Sequence, residues 1–269
     1  MARLAIVGGG KMGEALLGGL LHAGWAPGDV AVCEQHPERC KEITDRYGAR
    51  AATDLAEIVK GASSVVLAVK PQDFDAVLAS LSPILEPGTL VISIAAGITT
   101  RFIESRLPGG VPVVRAMPNT PALLREGITA IAAGAHASDE DMAAADEILG
   151  CVSRVVHLHE KHLDAVTGVS GTGPAYVFFL AESLVEAAVG VGLPRDVATE
   201  LSIQTILGAA RMLRETGKHP IVLREEVTSP GGTTVAAMRI LEREGVRSAF
   251  LDAVRAATER SHQLAAEHD

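Results

Sequence analysis

The run Arg3-Leu-Ala-Ile-Val-Gly8-Gly-Gly10-Lys-Met-Gly13-Glu-Ala-Leu-Leu17 carries an apolar strand straight into closely spaced glycines and then into an apolar helix. A strand apolar at every position is covered on both faces, so the chain opens on an α/β unit rather than on a meander or a bundle. Gly8, Gly10 and Gly13 have the G-x-G-x-x-G spacing of a dinucleotide-binding turn. The glycines allow a tight turn, a close backbone approach to a pyrophosphate and close packing of helix on strand. The helix start beyond them offers free N–H groups and a partial positive charge to the phosphates.

The same alternation continues to about residue 157. Short β-rich runs predict strands at 3–7, 29–33, 64–68, 89–94, 112–116, 128–132 and 153–157, with helical patterns at 12–23, 37–47, 71–80, 99–106 and 138–149. This reads as βαβ units in a mainly parallel sheet. Beyond it the chain turns Ala- and Leu-rich with no convincing strand, and helices are expected at 175–191, 194–216 and 247–267. The fold class is therefore α/β, a Rossmann-type doubly wound sheet over residues 1–159 followed by an all-helical domain over 160–269. The helix at 175–191 is apolar almost all round. Glu182 and Glu186, one turn apart, would each cost about 2.5 kcal/mol or more at a bilayer centre, so a membrane span is excluded. Burial against a second copy of the chain is the expectation, since so small a helical half cannot cover such a helix by itself.

Bulk composition narrows the partners. With 48% hydrophobic and 21% charged residues the chain is an ordinary soluble protein, and a net charge of −9 without a basic run argues against nucleic acid or an anionic membrane. Cys33, Cys40 and Cys151 form no C-x-x-C pair, which indicates neither a disulfide framework nor zinc. The first apolar run breaks at the glycines after about five residues, unlike a signal peptide, so a cytoplasmic protein that starts as mature sequence is expected. His157, His159 and His162 cross from strand to helix without a completing Cys or carboxylate motif, and no metal is expected there.

Three further strand ends present polar groups: Ala68-Val69-Lys70-Pro71, Ser93-Ile-Ala95-Ala96-Gly97 and Met117-Pro-Asn119-Thr-Pro121. Strand carboxyl ends are where open α/β sheets hold ligands, and Asn119 between two prolines is a rigidly presented amide suited to a carboxamide. Glu34, 21 residues after Gly13 at the end of the second strand, would accept hydrogen bonds from ribose hydroxyls and repel a 2′-phosphate. This leans towards NADH, with Arg39 the one candidate to compensate. In the helical half, Gly168–Pro174 and Thr228–Thr234 each set hydroxyls and backbone N–H groups before a helix, an arrangement that receives a small anion. Neither contains a His, Cys, Lys or carboxylate to act as nucleophile or base, so the chemistry needs orientation more than proton shuttling.

These stretches, in this order, resemble the pyrroline-5-carboxylate reductase family from end to end. The most specific match is Val227-Thr-Ser-Pro-Gly-Gly-Thr-Thr-Val-Ala-Ala-Met-Arg-Ile-Leu-Glu242, and Ser170-Gly-Thr-Gly-Pro-Ala-Tyr176 and Met117-Pro-Asn-Thr-Pro121 support it. The resemblance implies that Gly8, Gly10, Met12 and Gly13, Ala68 to Pro71, Ala95 to Gly97 and Asn119 hold NADPH or NADH. It implies that Ser229, Gly232, Thr233 and Thr234 hold the substrate carboxylate and ring nitrogen, with Glu160 near the substrate. It also implies dimers interlocked through the helical half and often assembled into decamers.

Where NADPH-preferring members often carry small hydroxyl or basic residues, this chain has Glu34-Gln35, and Leu55 stands where they have Asn after Asp54. The implied reaction is hydride delivery to an already electrophilic cyclic imine, with Thr234 hydrogen-bonding the ring nitrogen. A β-hydroxyacid dehydrogenase is disfavoured, because no Lys occurs between Lys161 and Lys218 to serve as its acid/base. A nucleotide sensor without turnover would leave the two Gly-rich stretches without purpose.

Overall fold

The computed structural model describes residues 3–266. Eight strands form one sheet: β1 Leu4–Val7, β2 Val30–Cys33, β3 Arg50–Ala52, β4 Ser64–Leu67, β5 Leu90–Ser93, β6 Val113–Met117, β7 Gly127–Ala133 and β8 Ser153–His157. Their order is β3-β2-β1-β4-β5-β6-β7-β8. From β1 the chain builds outward first to β3 and then, returning, to β4, so the strand order reverses beside β1 and opens a crevice at the carboxyl ends there. Every neighbouring pair is parallel except β6 and β7. Those two are joined through a 3-10 turn, Thr120–Leu124, too short for a crossover and long enough for an antiparallel return. Seven strands fall where the periodicity places them. β3 escapes it because three residues, none of them buried, carry no apolar signal.

The helices of this part are α1 Lys11–His22, α2 Pro37–Tyr47, α3 Leu55–Val59, α4 Phe74–Leu81, α5 Thr100–Glu104, α6 Asp139–Gly150 and α7 Leu163–Val166. Successive strand residues point to opposite faces, so each strand feeds two cores. Leu4, Ile6, Val66 and Ile92 pack with Leu16, Leu17 and Leu20 of α1 on one side. Ala5, Val7, Val65 and Val91 pack with Phe74, Leu78 and Leu81 of α4 on the other. The Ser138-Asp-Glu-Asp141 start signal closes as a capping box, with Ser138 Oγ accepting from Asp141 N at 3.2 Å and Ser138 N donating to Asp141 Oδ2 at 2.8 Å.

The remaining helices are α8 Gly173–Gly190, α9 Arg195–Thr216, α10 Pro220–Glu226, α11 Thr233–Arg243 and α12 Val246–Ala266. By packing, the described chain divides into one unit of residues 3–172 with 256–266 and a second of Gly173–Arg255. The change of composition near Glu160 is thus a change of secondary structure, while residues 160–172 and the end of α12 pack with the sheet. The second unit has almost no interior: within it Ala198, Ser202 and Leu223 are buried, whereas Phe178 and Phe179 are 68% and 71% exposed. The helix expected to be buried is open in the single chain. Among the described residues no helix is long and apolar enough to cross a membrane.

Phe74, Leu78 and Leu81 anchor α4 while Ala76, Val77 and Ser80 of its other face border the crevice. Phe74→Ala should therefore destabilise the protein by about 3–5 kcal/mol, read from the denaturant midpoint, because Phe74 is wholly buried.

Candidate functional site

The carboxyl ends of β1, β2, β4, β5 and β6 share one edge of the sheet. Gly8 N donates to Cys33 O at 2.8 Å, Ala68 N to Val7 O at 2.8 Å and Ile94 N to Leu67 O at 3.2 Å, which knits the four strand ends of β1, β2, β4 and β5 together. Gly8 has φ +110°, and a Cβ there would lie 2.6 Å from Ala68 O. A Cβ on Gly13 would run into Gly8 O. Gly10 differs: it precedes α1 in extended backbone and nothing lies within 4 Å of where its Cβ would be. The fold itself needs Gly8 and Gly13, and leaves open space above Gly10.

That space belongs to a cleft of about 550 Å³ whose lining includes Gly8, Gly10, Glu34, Thr53, Lys70 and Val77. Ala68 and Val69 border it as well, and Pro71 starts the turn that leads from it into α4. Met12 lies below, packed against the core of the α1 side. Cys33 also faces the cleft, and burial, reinforced by Cys40, Glu34 and Asp54, pushes its thiol up to about 11. At neutral pH it is a protonated, essentially apolar wall rather than a nucleophile. The dimensions and chemistry fit a dinucleotide: an open glycine cradle, the start of a 12-residue helix and a carboxylate at the end of β2.

Glu34 is held in place. Its Oε2 accepts from Gly9 N at 2.9 Å and its Oε1 from His36 N at 3.1 Å. Arg39 lines a neighbouring cavity with Gly9, Gly10 and Glu34 but has partners of its own: Nε donates to Gly9 O at 3.1 Å, Nη1 to Glu42 at 2.8 Å, and Nη2 pairs with Glu14. Glu14 also accepts from Arg46 and Tyr47, each at 2.9 Å. Burial pushes the Glu14 carboxyl up, but the Tyr47 and Arg39 hydrogen bonds and the Arg39 and Arg46 charges outweigh it and hold the group below the ordinary carboxylate range. Glu14 escaped the sequence reading, although an acidic residue directly after Gly13 in the first turn of α1 was its available signal. Leu55 lines the cleft, and Asp54 before it caps α3 by accepting from Ala56 N at 2.9 Å.

Further along the edge, Ala95 and Gly97 are buried and Ala96 is half-buried. Gly97 has φ +77°, and its Cβ would lie 3.3 Å from Ala265 N on α12. The Asn119 amide has internal partners, with Oδ1 accepting from Ile128 N at 3.0 Å and Nδ2 donating to Ser170 O at 3.1 Å. It ties the strand end to the turn at 167–171 and keeps one further N–H and one lone pair. The Glu160 carboxylate, expected near a substrate, accepts from Thr100 N and Thr100 Oγ1, both at 2.7 Å, and lies 3.3 Å from Arg115 Nη1.

The first Gly-rich stretch of the helical half is not an open loop. Thr167–Gly171 forms one π-helical turn continuing α7, in which Ser170 Oγ donates to Val166 O and Thr172 Oγ1 to Thr167 O. Its hydroxyls are turned onto the helix, so the anion-receiving geometry expected there is absent. Among the described residues no group of three His, Cys, Asp or Glu side chains is placed to hold a metal, and His157 pairs with Asp146 at 2.8 Å.

The second stretch keeps that geometry. Gly231, at φ +71°, turns the chain, and Gly232 N donates to Ser229 O at 3.0 Å. Gly232 is the N-cap of the 11-residue α11 and has no side-chain cap bond, so the start of the helix is left open beside Thr233 and Ser229. A Cβ on Gly232 would lie 2.5 Å from Ser229 Oγ. Thr234 Oγ1 donates to Val227 O at 2.9 Å. Its proton is committed to that carbonyl, and its remaining lone pairs are acceptors.

Comparison with known proteins agrees with both halves. Residues 160–264 match the family model described as pyrroline-5-carboxylate reductase dimerisation, and residues 3–97 the model described as NADP oxidoreductase coenzyme F420-dependent. The chain is 44% identical to the pyrroline-5-carboxylate reductase of Mycobacterium tuberculosis over 98% of its own length and 97% of the relative's. Among solved structures it is similar to a pyrroline-5-carboxylate reductase from Coxiella burnetii, with 37% identity, a TM-score of 0.93 and 98% of both chains covered. It is similar also to the Plasmodium falciparum pyrroline carboxylate reductase with NADP bound, at 28% identity, TM-score 0.88 and 98% of both chains covered. With two-fifths and more of its residues identical to such relatives along nearly its whole length, the chain belongs to the pyrroline-5-carboxylate reductase family.

Proposed function

We propose that the protein reduces L-1-pyrroline-5-carboxylate to L-proline with NAD(P)H, the last step of proline biosynthesis. The observation that carries the reading is the start of α11, where a helix end without a side-chain cap stands beside Ser229, Gly232, Thr233 and the acceptor oxygen of Thr234. Free N–H groups and the positive end of the helix favour a carboxylate. Gly8, Gly10, Gly13, Ala68 to Pro71 and Ala95 to Gly97 are the residues that would hold the dinucleotide, with the spare N–H of Asn119 as a further donor. Residues 3–172 with 256–266 would hold the cofactor, and Gly173–Arg255 would present the substrate groups.

When bound, the reduced nicotinamide supplies a hydride to C5 of the cyclic imine. The protein's own part is orientation and charge stabilisation. Thr233 and the first N–H groups of α11 fix the carboxylate. Thr234, its proton already given to Val227 O, accepts from the protonated ring nitrogen and keeps the substrate in its electrophilic iminium form. Hydride addition turns the iminium N–H into a neutral secondary amine N–H, which then takes one proton from solvent, so no enzymic base is needed. Loss of nicotinamide absorbance with pyrroline-5-carboxylate, and none with β-hydroxyacids, tests the reading. Thr234→Ala should lower kcat/KM by about 10- to 100-fold, about 1.4–2.7 kcal/mol, and an unchanged value would refute the role.

On cofactor choice, NADH is proposed to be at least competitive with NADPH. Glu34 is fixed by two backbone N–H groups at the end of β2, and Arg39, the one candidate to neutralise a 2′-phosphate, is engaged by Glu14, Glu42 and Gly9 O. Measured side by side, kcat/KM should not favour NADPH; a preference of about 100-fold, roughly 2.7 kcal/mol, would refute the assignment. Glu34→Ser should move the ratio towards NADPH.

The assembly is proposed to be at least a dimer, with the decamers implied by the family built from it, and the setting cytoplasmic, consistent with three free thiols. The second unit buries three residues while its apolar side chains stand open, which is half of an interface rather than a domain core. Light scattering at micromolar protein should give twice the chain mass or more.

A further inference from the structure

Arg115 projects from β6 into the interior of the first unit and is 4% exposed, so its charge would be strongly destabilising without partners. It has two. Glu160 Oε1 lies 3.3 Å from Nη1 and Asp164 Oδ1 lies 3.7 Å from Nη2. Each carboxylate makes a second bond that leads away from the arginine. Glu160 accepts from Thr100 N and Thr100 Oγ1, which sets the beginning of α5 and with it the far end of the loop 95–99. Asp164 accepts from Ser261 Oγ at 2.9 Å, which anchors α12 one turn before Ala265. Ala265 and Leu264 are the residues that close on Gly97, in the middle of that same loop. One buried guanidinium thus fixes the loop after β5 from two directions, through Glu160 at its end and through Asp164 and the last turns of α12 behind it.

We propose that Arg115, Glu160 and Asp164 form a positioning network for the loop 95–97, and that Glu160 acts on hydride transfer through this loop rather than as a ligand of the substrate. The inference rests on the cofactor site proposed above. Strand order places Glu34, at β2, on the adenosine side of β1, and the loop after β5 two strands away on the nicotinamide side. Glu160 Oε1 accepts from Thr100 N and Arg115 Nη1 and Oε2 from Thr100 Oγ1, and Glu160 and Asp164 share the one guanidinium. An amide in its place keeps the shape but can accept through one atom only, and it leaves Arg115 with Asp164 alone.

The test is Glu160→Gln, with steady-state kinetics, NADH titration by nicotinamide fluorescence, and titration with ADP-ribose, which has the adenosine and phosphates but no nicotinamide. The network predicts a kcat lowered at least tenfold, a KM for pyrroline-5-carboxylate within threefold of wild type, NADH bound at least fivefold more weakly and ADP-ribose within twofold. Thr100→Val, which removes one hydroxyl, should show the same pattern at smaller size and carries the test if Glu160→Gln does not fold. A KM raised tenfold or more with unchanged NADH affinity would make Glu160 a substrate ligand. Equal weakening of NADH and ADP-ribose would indicate general damage, and wild-type values in both variants would remove the network from catalysis; each of these overturns the proposal. Failure of the wild-type protein to bind NADH or NADPH would overturn the cofactor reading itself and is seen before any variant is made.

Discussion

Helix α1 lies against the sheet at a distance that a single methyl group would forbid. Gly13 passes beneath the Gly8 carbonyl, and Gly8 turns at φ +110° against the Ala68 carbonyl, so the first helix, the first turn and the end of β4 are locked together by backbone alone. Everything useful at the crevice follows from this contact. It aims the start of α1 at the cleft, brings Lys70 and Val69 to the opposite wall, and leaves Gly10 as the uncovered backbone between them. A close approach of this kind tolerates no side chain, because interiors are packed too densely to absorb one.

Charge is distributed around that turn with the same economy of freedom. Glu34 is bonded to the Gly9 N–H, Arg39 to the Gly9 carbonyl, and Arg39 is held in turn by Glu14, the residue that follows Gly13. The turn is gripped at the two peptide units that flank Gly9 by opposite charges. A carboxylate so held keeps its position at the end of β2, and a guanidinium so held is engaged by Glu14 and Glu42 although it lines the same cavity. The proposed selectivity between dinucleotides rests on which of two charges is available, and Arg39 is already paired with Glu14.

The second unit obeys a different constraint. Its helices carry apolar residues on more than one face, yet a few long helices have too much surface for their volume to bury them. Phe178, Phe179, Leu201 and Ile203 therefore remain outside in the single chain, and the proposed dimer would supply the interior that covers them. The open start of α11 sits on this same incomplete unit, so the substrate half of the proposed chemistry is presented by a part of the protein with little core of its own.

Strand and helix positions, the dinucleotide turn, the helical second half and the family were legible in the sequence, because apolar period, glycine spacing and the Val227–Glu242 stretch are local properties that survive without knowing what they touch. Even there β3, being three unburied residues, and the short helices α3, α7 and α10 were invisible. What polar side chains do was decided by tertiary structure, since a hydrogen bond to a residue 40 or 60 positions away leaves no periodic trace. The sequence offered Asn119 as a rigidly presented amide and Arg39 as a candidate to compensate Glu34, and the family resemblance implied Glu160 near the substrate. The fold ties Asn119 to Ile128 and Ser170, binds Glu160 between Thr100 and the buried Arg115, and hands Arg39 to Glu14. Backbone form follows from neighbours in the chain, and the availability of a charge follows from neighbours in space.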